Sequence, residues 1–291
     1  MLSRIDPRLL VVFGAVLFST GGAAIKATTL TGWQVAAFRS GIAGLALLIM
    51  LPAVRRQVTW RVLLVAMAYA TTLTLYVLAN KLTTAANTIF LQSTAPLYLL
   101  FLGPLFLREH THKRDLWFML ALALGLALFF VAIDTPTQTA PAPLAGNLLG
   151  GLAGFSWALT LLGLRWLALD KGPGTPAAAA ATGNLLTFVV CVYWALPVIS
   201  PTPQDWLLVA YLGVFQIGVA YVLVTAAMPR VTALEASLLI LIEPVLNPVW
   251  AWLFLGETPG KLALVAAGII TISIVLRTLQ QSRLKETVQK S

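Results

Sequence analysis

Two stretches of the chain are copies of one another, and no other feature restricts the fold as strongly. The first opens at Thr84-Ala85, passes Pro96 and closes in Leu105-Phe106-Leu107-Arg108-Glu109. The second opens at Thr232-Ala233, passes Pro244 and closes in Leu253-Phe254-Leu255-Gly256-Glu257. Superposed without gaps at a separation of 148 residues, they agree at 8 of 26 positions. Each copy is an apolar run about as long as a bilayer is thick, interrupted by a central proline. Self-similarity of this kind in an apolar chain points to a bundle made of two repeats.

The rest of the chain is apolar in the same way. Hydrophobic residues make up 59% of it and charged residues 10%, where a domain in water carries roughly 25% charged residues. Too little polar surface exists to cover a globule. Ten apolar spans are read, at about 9–27, 32–51, 60–80, 83–107, 116–133, 144–167, 176–196, 206–228, 232–255 and 261–276. Each is near the roughly 20 residues that cross a hydrocarbon core as a helix. The short alternating segments of a membrane β-barrel are missing. Connections are short, except for the Pro-, Thr- and Ala-rich stretch 134–146, which reads as an exposed loop. A cleaved signal peptide is one reading of the first span, but its length and the symmetry below argue against it. Cys191 is the one cysteine, which excludes an intramolecular disulfide and a cysteine metal cluster.

Basic residues set the orientation. Fifteen of them fall at the N-terminus, in alternate connections and in the tail: Arg4, Arg8, Arg55, Arg56, Arg61, Arg108, Lys113, Arg114, Arg165, Lys171, Arg230, Arg277, Arg283, Lys285 and Lys290. The opposite side has only Lys26, Lys81 and Lys261. This bias places both termini in the cytoplasm and demands an even number of spans. It also accounts for the net charge of +9 without a nucleic-acid partner. Span four then ends on the cytoplasmic side and span nine on the outer side, so the doubled pattern runs in opposite directions. Weaker echoes agree: Phe18-Ser19 with Phe155-Ser156, Trp60 with Trp206, and Tyr76-Val77-Leu78 with Tyr221-Val222-Leu223. The expected fold is an all-α polytopic membrane protein of ten transmembrane helices in two inverted five-helix repeats. The repeats cover residues 1–139 and 140–291, the second with a short basic tail. Inverted repeats give two nearly equivalent states, open to either side, around a midplane site.

Candidate site residues follow from polarity inside the spans. Span three carries Tyr69, Thr72, Tyr76 and Asn80 on one helical face. Such a stripe is unfavourable against lipid, so it faces a water-filled cavity or a helix–helix contact. Tyr76 and Asn80 are the favoured cavity members. Span four carries Asn87, Thr94 and Tyr98 on one face, with Gln92 on another. Pro96 and Pro244 remove a backbone donor in mid-span, which either frees a carbonyl for a ligand or simply kinks the helix. Phe38 and Trp157 are candidates to stack on a flat substrate, the alternative being ordinary packing. Glu243 lies about 11 residues into span nine, roughly 16 Å along a helix. Three roles stay open for it: proton coupling, binding of a substrate ammonium, or a structural bond. Arg39, about seven residues into span two, either snorkels, pairs with an acid or holds a substrate carboxylate.

Several classes are excluded. His110 and His112 sit two apart without the carboxylates or cysteines of a metal set. No Gly-x-x-x-x-Gly-Lys-Ser/Thr loop exists to bind ATP. No catalytic Ser/His/Asp or Cys/His set can be assembled, and no cofactor is implied.

At the doubled Pro…Leu-Phe-Leu-x-Glu pattern, the ten spans, Ala37-Phe38-Arg39 and Leu241-Ile242-Glu243-Pro244, the chain resembles the drug/metabolite transporter superfamily, in its EamA-type branch. Size and aromatic content are most similar to its YddG-type exporters of aromatic amino acids. The resemblance implies a bacterial inner-membrane secondary transporter with a central cavity and with spans five and ten peripheral. It also favours a structural Glu243, since Leu-x-Glu-Pro is widespread among members with different substrates. The expected partners are the lipid bilayer, a small amphipathic metabolite such as an aromatic or apolar amino acid, and protons as a candidate driving ion. The alternative is an exporter of drugs or organic cations like methyl viologen, coupled to protons through Glu243. A non-transport role as an intramembrane enzyme or structural subunit lacks a catalytic set in the first case and fits poorly with two polar stripes in the second.

Overall fold

The computed structural model describes residues 5–107, 113–131, 135–170, 175–227, 230, 239–240 and 242–290. Arg4, Arg108, Glu109, His110, His112, Lys171, Thr232, Ala233 and Leu241, singled out above, lie outside the described residues. All regular structure among the described residues is helical. In chain order the helices are α1 (Pro7–Ser19), α2 (Gly21–Ala27), α3 (Gly32–Met50), α4 (Trp60–Leu82), α5 (Ala85–Gln92), α6 (Ala95–Leu107) and α7 (Lys113–Val131). There follow α8 (Pro143–Asp170), α9 (Thr175–Ala195), α10 (Pro203–Tyr211), α11 (Ala220–Ala227), α12 (Ile242–Leu255) and α13 (Lys261–Lys290). Leu212–Val219 joins α10 to α11 as a π-helical segment, and a 3₁₀ turn covers Pro52–Arg56. Six elements are long and apolar enough to cross a membrane: Pro7–Ala27, Gly32–Met50, Trp60–Leu82, Pro143–Leu167, Pro176–Ala195 and Pro203–Val224. Shorter apolar helices cover Trp117–Leu128, Ile242–Leu255 and Lys261–Leu276.

Local chemistry sets the boundaries. Thr31, Thr59, Thr84 and Thr202 cap α3, α4, α5 and α10, each accepting a backbone N–H of the first turn through its hydroxyl. The expected interruption of span four is a full break between α5 and α6. There Ser93 and Thr94 donate their hydroxyls back to the carbonyls of Ile89 and Leu91 at 2.7 and 2.6 Å. Pro96 has no N–H to continue the ladder, and it sits in the first turn of α6, where that donor is not needed. Pro244 occupies the matching first turn of α12.

Helix α4 of the first half is sandwiched between α8 and α9 of the second, so the halves interlock. Small residues allow the approach. A Cβ on Gly183 would stand 2.6 Å from Tyr69 Cδ1 and 3.0 Å from the Ala66 carbonyl. Helices α7 and α13, the expected peripheral spans, pack on each other with Gly125 against Ile270.

The doubled stretches meet head to tail. Helix α12 ends in Gly256, whose φ of +64° is a conformation glycine adopts without strain. The Glu257 N–H then reaches back to the Ala251 carbonyl at 3.3 Å. This turn folds the Glu257 carboxylate inward, where it accepts the Ala85 N–H at 3.0 Å. The end of the second copy therefore touches the start of the first.

Candidate functional site

The middle of the bundle is aromatic. Tyr69 of α4 meets Trp157 of α8 with ring centroids 6.3 Å apart and Tyr221 of α11 at 6.1 Å. Tyr221 also takes the edge of Phe18 from α1 at 5.5 Å. Two of these rings come from each half of the chain. Tyr69 is 4% exposed. Trp157, Tyr221 and Phe18 keep part of their surface accessible.

Polar and charged groups adjoin this cluster. Glu243 of α12 is within electrostatic range of Tyr69, Tyr76 and Tyr221, and it too is only partly buried although deep in the bundle. No cation pairs with it among the described residues. The Tyr76 hydroxyl accepts the Asn247 amide at 3.3 Å. Trp250 donates its indole N–H to Ser19 Oγ at 2.8 Å, and Gln216 donates to the Phe18 carbonyl at 3.3 Å. Gln216 belongs to the π-helical segment, a local widening that recurs at functional sites. Arg39 is 2% exposed, with Tyr76 and Tyr69 as its electrostatic neighbours.

The residues expected to form the site separate into two groups. Tyr76, Trp157, Glu243 and Arg39 come together around Tyr69. Asn80 lies beside them, donating its amide to the Tyr76 carbonyl at 3.1 Å. Phe38 does not join: its ring packs on Trp206 at 5.2 Å, because α3 turns that face toward the start of α10. Tyr98 sits in the α6–α8 contact, edge-on to Phe155 at 5.4 Å with its hydroxyl 3.4 Å from the Gly151 carbonyl. Thr94 is fully buried and bonded within its own turn, packed under Gly154. Gln92 ends α5 at the break and is half-buried. Thr72 meets Thr160 hydroxyl to hydroxyl at 3.3 Å, which makes it a helix–helix contact. Phe18 and Tyr221 carry the cluster, and in the sequence they stand out only as echoes between the halves. The echo of Tyr76 in Tyr221 was the available signal.

One end of the bundle is closed by buried polar bonds. Lys26, at the end of α2, pairs with Glu257 at 3.2 Å, with the two side chains 2% and 4% exposed. Lys26 also donates to the Thr139 carbonyl. Lys81 donates to the carbonyl and hydroxyl of Thr28 at 2.7 and 2.9 Å. Asp205 accepts the Thr29 N–H and hydroxyl at 2.6 and 2.7 Å, together with both donors of Thr202. Thr83 donates to Asn147 at 2.7 Å. These contacts tie both halves together at that end.

Six helices long and apolar enough to cross a membrane, with two interlocked halves around an aromatic and charged middle, fit a multi-pass membrane transporter. The chain belongs to the EamA-like transporter family, whose sequence pattern matches residues 8–131 and again 144–279. The family is one of transporters, of the drug/metabolite type, with small-molecule substrates. No curated protein matches at a significant level. One solved structure, described only as a crystal structure of a protein, shares the fold with a TM-score of 0.65. It is 20% identical, and the match covers 96% of this chain and 98% of that one.

Proposed function

We propose that this protein exports small amphipathic metabolites, with aromatic and apolar amino acids as the preferred class, by alternating access around the Tyr69–Trp157–Tyr221–Phe18 cluster. The single observation that carries this reading is that cluster: rings from both halves, most of them partly accessible, beside a Glu243 with no cation among the described residues. Aromatic faces give a flat apolar group a large contact area, and their edges and hydroxyls tolerate a polar head. Ten spans, in repeats of residues 1–139 and 140–291, complete the proposal. The membrane is the bacterial inner membrane, with both termini in the cytoplasm as the fifteen-to-three distribution of basic residues favours. On this orientation the Lys26 end is the outer end, and the state described is closed to the outside. Substrate contacts are assigned to Tyr69, Tyr76, Asn80, Trp157 and Tyr221, with Gln92 beside them, while Phe38, Thr94 and Tyr98 are engaged in packing elsewhere.

A second reading is favoured by one observation. An acid held near the midplane without a cation suits an organic-cation exporter coupled to protons through Glu243. Proteoliposomes decide between the two. Labelled tryptophan, phenylalanine, threonine and methyl viologen are offered to the wild type and to Glu243→Gln, with and without a pH gradient. Tryptophan and phenylalanine transport that ignores gradient and substitution is the result expected of a facilitator with a structural Glu243. Gradient-driven transport lost in folded Glu243→Gln protein makes that residue the coupling group. Transport of methyl viologen alone overturns the amino-acid assignment.

A further inference from the structure

Resting on that transport reading, we propose that Arg39 is the ligand for a substrate carboxylate, so that Arg39 and Glu243 together select zwitterions over organic cations. Arg39 lies about two turns into α3 and is 2% exposed, so it does not snorkel to an interface. Its Nε and Nη1 atoms are buried without a hydrogen-bond partner. Among the described residues no carboxylate pairs with it. Apart from Glu243, the other enclosed charges named above do not share this condition: Lys26 has Glu257, Lys81 has Thr28, and Asp205 has Thr29 and Thr202. A guanidinium taken out of water without partners is strongly unfavourable. A site that keeps one therefore expects its partner from elsewhere.

The surroundings say which partner. Arg39 and Glu243 flank the same two tyrosines, Tyr69 and Tyr76, yet form no ion pair with each other. An α-amino acid carries a carboxylate for the planar fork of Arg39 and an ammonium for Glu243. Its side chain then falls toward Trp157, Tyr221 and Phe18. A bis-cation such as methyl viologen would satisfy Glu243 and leave Arg39 facing like charge.

The test is binding to the purified full-length protein in detergent, with four indole probes and one cation. The probes are tryptophan, indole-3-propionate, which lacks the ammonium, tryptamine, which lacks the carboxylate, neutral 3-methylindole, and methyl viologen. Arg39→Gln is expected to weaken tryptophan and indole-3-propionate about 30-fold or more, as loss of a charged hydrogen-bond pair implies, while tryptamine changes less than about threefold. Arg39→Lys keeps the charge and loses the fork, and about a tenfold loss confined to the two carboxylates is expected. It serves as the readout if Arg39→Gln does not yield monodisperse protein. Equal loss of tryptophan and tryptamine in folded protein overturns the proposal. So does equal loss that is reversed in an Arg39→Gln/Glu243→Gln double variant, which would make the two residues structural partners in another state. Wild-type protein that binds only the cation also overturns it. If no indole binds but benzoate or a branched-chain keto acid does, and depends on Arg39, the carboxylate assignment stands and the aromatic amino-acid reading falls.

Discussion

The two ends of the bundle are held together by different chemistry. At the Lys26 end, the termini of α2, α4, α5, α10 and α12 are joined by an enclosed ion pair and by charged hydrogen bonds from Lys81 and Asp205. At the Arg61 end, the described residues pack through apolar groups such as Val54, Val62, Leu167 and Ala178–Ala181. Polar contacts on that surface are exposed ones, among them Arg55 Nε on the Leu48 carbonyl at 3.0 Å, Arg230 on the Ile5 carbonyl at 3.3 Å, and Arg61 laid over the rings of Trp60 and Trp166 at 5.5 and 5.1 Å. Apolar packing is non-directional and tolerates sliding, whereas a buried ion pair has one geometry and a steep penalty for losing one partner. On the alternating-access reading proposed above, the end with the directional bonds is the end held shut.

Substitutions sharpen this contrast. Glu257→Ala strands Lys26 and removes the acceptor at the start of α5, and a loss of about 3–5 kcal/mol in unfolding free energy is expected. Thermal unfolding in detergent checks it, and Lys26→Met/Glu257→Met should recover most of the loss. Gly183→Ala forces a methyl against Tyr69 and the Ala66 carbonyl, at about 1–3 kcal/mol. It should also weaken substrate binding, since Tyr69 anchors the ring cluster. Asp205→Ala removes the tie to Thr29 and the cap of α10, for about 1–2 kcal/mol. At the opposite end, Arg61→Ala should cost about 0.5–1 kcal/mol and leave transport unchanged. If Arg61→Ala and Glu257→Ala have equal effects, the contrast between the ends is wrong.

A paired comparison inside the bundle separates the aromatics. Trp157→Ala should raise the half-saturation concentration for tryptophan about tenfold, in line with loss of a stacking contact. Phe38→Ala should leave it within about twofold, because the Phe38 ring lies on Trp206.

That pair also marks where the sequence stops being informative. The break at Ser93-Thr94 and the glycine turn before Glu257 are local features, each set by residues within one or two turns of the chain. Phe38 and Phe18 are both aromatics in the interior of a span. The spans are apolar nearly all round, so periodicity does not say which face of a helix looks inward. Helix rotation decides it, and rotation depends on contacts such as Gly183 on Tyr69, made by residues more than a hundred positions apart. Lys26 and Glu257 illustrate the same limit. Each reads singly as a residue at the end of a span, and their pairing depends on α2 and α12 being neighbours.

The most direct test is whether the Lys26 end must open for transport. Cysteines replace Lys26 and Glu257 in a Cys191→Ala background, and a short bifunctional thiol reagent joins them in proteoliposomes. Tryptophan transport should stop when the link forms and return when a cleavable link is cut, while binding from the Arg61 side persists throughout. Undiminished transport by the fully linked protein would contradict an opening of that end, and with it alternating access between the two repeats.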